Sequence, residues 1–183
     1  MASWTLDGMH AEVGFSVRHM MVSRVRGHFR SFEAQIDIDE EQPERSRVEA
    51  TIDAASIETG VEMRDADLRS ANFFDVERYP QLAFRSTRVA RRGDDRFELE
   101  GDLTIRGVTR PVTLQGEFSG PIADPWGGRR IGLTLSGEID RDAWGLNWNQ
   151  ALEAGGFVVG KKVSIEINAE LVAAQVAAPV AAA

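Results

Sequence analysis

Three histidines, His10, His19 and His28, are the residues best suited to move protons near neutral pH. General acid–base work needs such a ring held beside a carboxylate. His19 with Asp65 or Asp67 is the pairing the chain offers, acting on a buried apolar substrate. Nothing else completes an enzyme: there is no glycine-rich phosphate loop, no nucleophile elbow and no paired metal-ligand motif. The histidines are nine residues apart, so on strands His19 has the opposite parity to the other two, which argues against a shared metal site. There is no cysteine, so disulfides, thiolate metal sites and thiol nucleophiles are excluded. No catalytic residue, metal ligand or cofactor is assigned, and a binding protein is preferred over an enzyme.

The other concentration of chemistry is Glu62 to Pro80, EMRDADLRSANFFDVERYP. It sets Met63, Leu68, Phe73, Phe74 and Tyr79 among charged residues, without the period-two alternation found elsewhere. Met63, Ala66 and Leu68 to Ser70 suit one or two helical turns, and Pro80 pushes Tyr79 to an extended conformation. Such an insertion can cover one opening of a barrel, aromatics inward and charges at the mouth. It can equally plug the barrel with Phe73 and Phe74 as core.

The elements that must position these residues are strands. Alternation predicts them at Glu12–His19, Arg24–Asp39, Val48–Ala54, Gln81–Thr87, Phe97–Ile105, Val112–Phe118, Arg130–Ile139 and Lys161–Leu171. The second changes parity between Phe29 and Phe32, which predicts a bulge near Arg30 and Ser31. Arg91–Asp95 reads as a turn, Pro121–Arg129 as a loop, and Asp140–Gly160 as a second irregular stretch. Eight strands with one apolar face hide that face by closing on themselves. The fold expected is all-β: an extended eight-stranded antiparallel barrel with a short helical insertion after the third strand. Its interior is either filled by side chains or holds one small ligand. Gly101, Gly116 and Gly137 share the inward parity; at least one is expected to leave volume unfilled.

With 183 residues, 43% of them hydrophobic, residues 1–172 are read as one barrel domain. Residues 173–183 are read as an Ala-rich disordered tail. The net charge of −8 argues against nucleic acid and against electrostatic docking to anionic lipid, though a local cluster of arginines can still hold an anion. No apolar run approaches the ~20 residues of a membrane span. The N-terminus has no basic region followed by an apolar run, so the cytoplasm is the default expectation.

The order and spacing of several short pieces carry a resemblance. They are Trp4-Thr5-Leu6-Asp7, Val13 to His19, Gly27-His28-Phe29, Arg64-Asp65, Leu68-Arg69-Ser70 and Phe73-Phe74-Asp75. Tyr79-Pro80, Phe84, Gly101 to Thr109, Arg141, Gly145, Trp148-Asn149 and Gly160 continue the series. From Trp4 to Leu171 the chain resembles the YceI-like family of lipocalin-like, lipid-binding proteins. The resemblance implies the same barrel with an insertion after the third strand, and a long apolar pocket for a polyisoprenoid, isoprenoid quinone or other long-chain amphiphile. It also implies a homodimer, and export in many members. Where the family often has a histidine after the Arg-Asp pair and an acid before the Phe-Phe pair, this chain has Asp67 and Asn72.

The function expected is therefore binding, storage or transport of a long-chain lipid. Phe15, Val17, Phe29, Phe32, Phe73, Phe74, Leu82, Phe84 and Trp148 are the candidate lining. His19 is either a structural histidine or a head-group contact. Arg64 either pairs with Asp65 or touches a phosphate or carbonyl of the ligand, and Arg141 has the same two readings.

Overall fold

A computed structural model describes residues 2–173. The residues read as a tail lie outside the described part, except Ala173, which ends the last strand. Ten strand segments and one helix follow in order. They are β1 (Ala2–His19), β2 (Ser23–Phe29), β3 (Phe32–Ile38), β4 (Arg47–Asp53), β5 (Ile57–Glu58) and α1 (Glu62–Arg69). Then come β6 (Gln81–Arg91), β7 (Arg96–Ile105), β8 (Val108–Ala123), β9 (Arg129–Asp140) and β10 (Val159–Ala173). Every pairing is antiparallel, and β10 closes the sheet onto β1.

The ring has eight members because two walls are each made of two segments. β2 and β3 are one wall broken at Arg30–Ser31, where the change of parity places a bulge; β2 pairs with the second half of β1 and β3 with its start. β4 and β5 are another wall, broken by a 3-10 turn at Ala54–Ser56. β4 pairs with β6, whereas β5 pairs with β2. The wall therefore parts between β5 and β6, and the insertion follows β5 directly. That gap is the physical reason for a helix inside an all-β chain.

Several strands run longer than alternation indicates. β1 begins at Ala2 rather than Glu12, because its register against β10 slips between Leu6 and Ala11 and hides the parity of the first half. β8 runs through Pro121 to Ala123, where a loop is expected, with a slip between Ser119 and Ile122. The predicted RRGDD turn starts one residue late, since Arg91 still belongs to β6.

Chain direction defines two ends. The β1–β2 turn, α1 with residues 70–80, and residues 141–158 share the insertion end; residues 39–46, 92–95 and 124–128 share the other. Buried side chains form three separate clusters, not one. One surrounds Phe29, Ile57, Phe73 and Trp144 at the insertion end. Another joins Trp4, Ile36, Ile131 and Leu171 at the other end, and a third, Val89, Leu99 and Leu114, lies in the wall. A filled barrel of this size gives one contiguous core; three clusters indicate a hollow between them.

The slip in β1 is held by charge. Arg130 Nη1 donates to Asp7 Oδ2 at 2.8 Å and Glu170 Oε2 at 3.1 Å, and its Nε donates to Asp124 Oδ2 at 3.2 Å. His10 Nδ1 lies 3.1 Å from the same Asp7 oxygen. The Arg130 hydrogen bond, helped by His10 and the Met9 amide, lowers the Asp7 pKa from 3.8 to about 2. A carboxylate with a depressed pKa stabilises fully above 3.8 and stops doing so as the pH falls through about 2. Acid unfolding over that window should be shallower in Asp7→Asn than in the wild type. Superimposable acid-unfolding curves contradict the assignment.

Candidate ligand cavity

A cavity of about 580 Å³ runs along the barrel axis, within the range of sites that hold small molecules. The inward parity of the strands builds its wall. From β1 come Val13, Phe15 and Val17; from β2 and β3, Phe29 and Phe32; from β6, Leu82 and Phe84. The second half of the chain contributes as much: Leu99 and Leu103, Leu114, Leu133 and Leu135, and Ile165 and Ile167. These were legible as inward positions but were absent from the expected lining, which favoured aromatics.

The inward glycines do not leave empty space of their own, contrary to expectation. A Cβ on Gly101 would collide with the Phe84 ring, and one on Gly116 with the Phe97 ring; Leu114 covers Gly137. The glycines act indirectly. Each lets a large side chain from the neighbouring strand, the Phe84 or Phe97 ring or Leu114, lie against the wall instead of projecting to the axis. The hollow survives in a barrel carrying large side chains because those side chains are folded aside.

The insertion end is sealed. Phe73 is buried and packs on Trp148 with ring centroids 5.5 Å apart. Phe74 meets Phe29 edge-on at 5.8 Å, and Phe29 meets Phe15 at 5.9 Å. Phe73 and Phe74 both line the cavity, whereas Trp148 stands behind Phe73 and is not part of the lining. The seal is tied to β5 by charged groups. Asp65, 2% exposed, accepts from the Thr59 amide at 2.9 and 3.1 Å and from the Thr59 hydroxyl. Arg64 Nε donates to the same hydroxyl at 2.7 Å, and Nη2 to the Thr59 carbonyl at 3.0 Å. The expected Arg64–Asp65 ion pair is therefore replaced by a shared grip on Thr59, and Arg64 does not line the cavity. Arg69 reinforces it, donating to the carbonyls of Ala55 and Ile57 at 2.9 Å each. Asp67 and Asn72, the two departures from the family pattern, bond to each other, Nδ2 to Oδ1, at 2.7 Å.

Residues 141–158 complete the seal around Arg141, which is 4% exposed and lines the cavity floor. Its Nε donates to Gly160 O at 2.8 Å and Nη2 to Val159 O at 3.2 Å. Nη1 donates to Trp148 O at 3.0 Å and to Leu146 O. It forms no ion pair among the described residues. Burial pushes the guanidinium pKa down from its usual value. Trp144 Nε1 donates to Leu103 O at 2.9 Å and locks the same loop to β7.

His19 ends β1, opposite Ser23 and Val159, after a slip in register beyond Val17. That slip takes it off the lining, although its parity matches Val13, Phe15 and Val17. Among the described residues its ring hydrogen-bonds to neither Asp65 nor Asp67, which are committed to Thr59 and Asn72. The acid–base pair is not assembled.

The polar mouth lies at the end opposite the insertion, and this corrects the expectation that the insertion's charges frame it. Asp39, Glu40, Ser46, Arg91 and Arg96 line the cavity there, with Glu40, Arg91 and Arg96 exposed. Ion pairs stitch the rim: Arg129 to Glu40 at 2.9 Å, Arg91 to Asp94 at 3.4 Å and Arg96 to Glu117 at 3.4 Å. In the sequence these residues look like any charged turn. Only closure of the barrel shows that they surround an opening.

A family model described as the YceI-like domain matches residues 4–171. The chain belongs to the YceI-like family. The UPF0312 protein of Staphylococcus aureus is 36% identical over 171 residues, covering 93% of this chain and 97% of that protein. The YCEI protein of Campylobacter jejuni, a solved structure, is 28% identical with a TM-score of 0.75, covering 96% of this chain and 100% of that one. A polyisoprenoid binding domain from Saccharophagus degradans is 15% identical with a TM-score of 0.71, covering 95% and 100%. At that identity the likeness shows the fold alone.

Proposed function

We propose that this YceI-like protein binds one long-chain amphiphilic lipid, a polyisoprenoid or isoprenoid quinone, inside the barrel, and stores or carries it. The observation that carries this reading is a cavity with an apolar wall, a sealed floor and a polar rim. Burial of a chain against such a wall gains ~0.8 kcal/mol per CH₂. Several isoprene units give a gross gain well above ~10 kcal/mol, from which the costs of ordering and immobilisation are subtracted. No hydrogen bond is needed for affinity. The rim selects the head group, which would sit among Asp39, Glu40, Arg91 and Arg96 with the tail directed at Phe73 and Phe74. The fold is shared with a domain described as polyisoprenoid binding, so a barrel of this shape is compatible with the ligand class. No observation favours an acid–base enzyme, since His19 stands apart from its two candidate partners.

Solvent extraction of the purified protein followed by mass spectrometry tests the reading. A long-chain lipid near one per chain is expected. A lipid-free protein that also refuses added isoprenoids and quinones contradicts it.

A further inference from the structure

The cavity leaves an apolar surface at the insertion end unexplained. The β1–β2 turn is Met20-Met21-Val22, exposed by 45, 62 and 86%. Met20 and Met21 hold φ angles of 49° and 62°, a region in which glycine or asparagine sits more easily. Met21 sets its sulfur against Gly156 of the adjoining loop, yet both methionines leave much of their surface in solvent. Phe157, 51% exposed, lies in the adjoining loop, where Met20 N donates to Val158 O at 2.8 Å. Val61 and Met63, 48 and 84% exposed, open the insertion at the same end of the barrel.

Arginines flank this apolar tip. Arg18 stands directly opposite Arg24 across the hairpin, and Arg26 opposite Ser16. Like charges placed opposite one another destabilise a strand pair. Among the described residues none of the three has a carboxylate partner, and the one side-chain bond is a 3.4 Å contact from Arg24 Nη1 to Ser16 Oγ. On the adjoining β10, Lys161 and Lys162 are matched by Asp142 and Glu138. Three unmatched arginines beside an apolar tip, on a chain of net charge −8, form a surface awaiting an anion-bearing apolar partner.

We propose that this hairpin docks the barrel, insertion end first, onto an anionic lipid bilayer. Met21 and Val22 enter the acyl boundary while Arg18, Arg24 and Arg26 meet lipid phosphates, as interfacial segments do. A second copy of the chain fits the surface poorly, because a two-fold contact would set arginine against arginine. The inference rests on the lipid-carrier reading for its purpose: docking holds the barrel at the phase where long-chain lipids reside. The net charge hides this site, since an average over the chain cancels a local cluster.

Flotation with vesicles tests it. The protein should float with phosphatidylcholine vesicles containing a quarter phosphatidylglycerol, less so in high salt, and not with phosphatidylcholine alone. The triple variant R18Q/R24Q/R26Q should bind about a hundredfold more weakly, at about fivefold per arginine. Met21→Asp with Val22→Asp should abolish flotation. All these residues lie outside the cavity, so uptake of an isoprenoid from dilute ethanol should be unchanged in every variant. A wild type that ignores the anionic vesicles, or variants that float as it does, overturns the proposal. So does a dimer in the ultracentrifuge that Met21→Asp with Val22→Asp abolishes, which would give the tip to a second copy. Vesicle binding without isoprenoid uptake would sink the carrier reading alone.

Discussion

Phe84→Asp is expected to reduce isoprenoid affinity by about a thousandfold, while Ala83→Asp leaves it near the wild-type value. The two residues are neighbours on β6 with opposite parity: Phe84 lines the cavity and Ala83 is exposed. A carboxylate in the wall must be covered by hydrocarbon when the lipid enters. Desolvating it without a partner costs several kcal/mol, and each ~1.4 kcal/mol is tenfold in affinity. Removal of the ring also uncovers Gly101, the glycine it lies on. Fluorescence titration with an isoprenoid reads both variants. Equal losses would mean that the face assignment of β6, and with it the wall, is wrong.

Arg141→Leu is expected to destabilise the fold by about 4 kcal/mol, lowering Tm by about 10 °C for a chain of this size. Leucine keeps some of the packing but removes every donor to Gly160, Leu146, Trp148 and Val159. Two of those carbonyls lie in the loop and two at the start of β10, and only Val159 O has a second side-chain donor among them, Asn149 Nδ2 at 2.6 Å. Arg141→Lys should restore only part of the loss, since an ammonium lacks the planar spread of donors. Thermal unfolding checks this, and a shift of under about 2 °C for Arg141→Leu would mean that the loop is held by Trp144 and Asn149 without the guanidinium.

The wall was the legible part of this molecule. Leu99, Leu103, Leu133, Leu135, Ile165 and Ile167 alternate cleanly because one face of an antiparallel sheet must be apolar, and the flip between Phe29 and Phe32 marks a real break between β2 and β3. The start of β1 was not legible, because the slip between Leu6 and Ala11 destroys the parity on which such readings depend. The eight aromatic and aliphatic candidates from Phe15 to Phe84 reach the cavity, while His19, Arg64 and Trp148 do not. Parity spoke only for His19, and a register slip removes it from the lumen. Arg64 lies in α1 and Trp148 between strands, where no parity applies; hydrogen bonds to Thr59 hold the first aside and Phe73 screens the second. The mouth escaped for a different reason. Asp39 and Glu40 lie in one turn and Arg91 and Arg96 flank another, distant in the chain, and the two turns meet because β4 pairs with β6.

The most direct test of the central claim is a crystal structure of the protein loaded with a long-chain isoprenoid. Continuous density for one chain should run along the barrel axis, its head at the rim formed by Glu40 and Arg96 and its tail against Phe73 and Phe74. An interior collapsed onto Leu99, Leu114 and Ile165, with the lipid bound outside the barrel or not at all, would contradict the account.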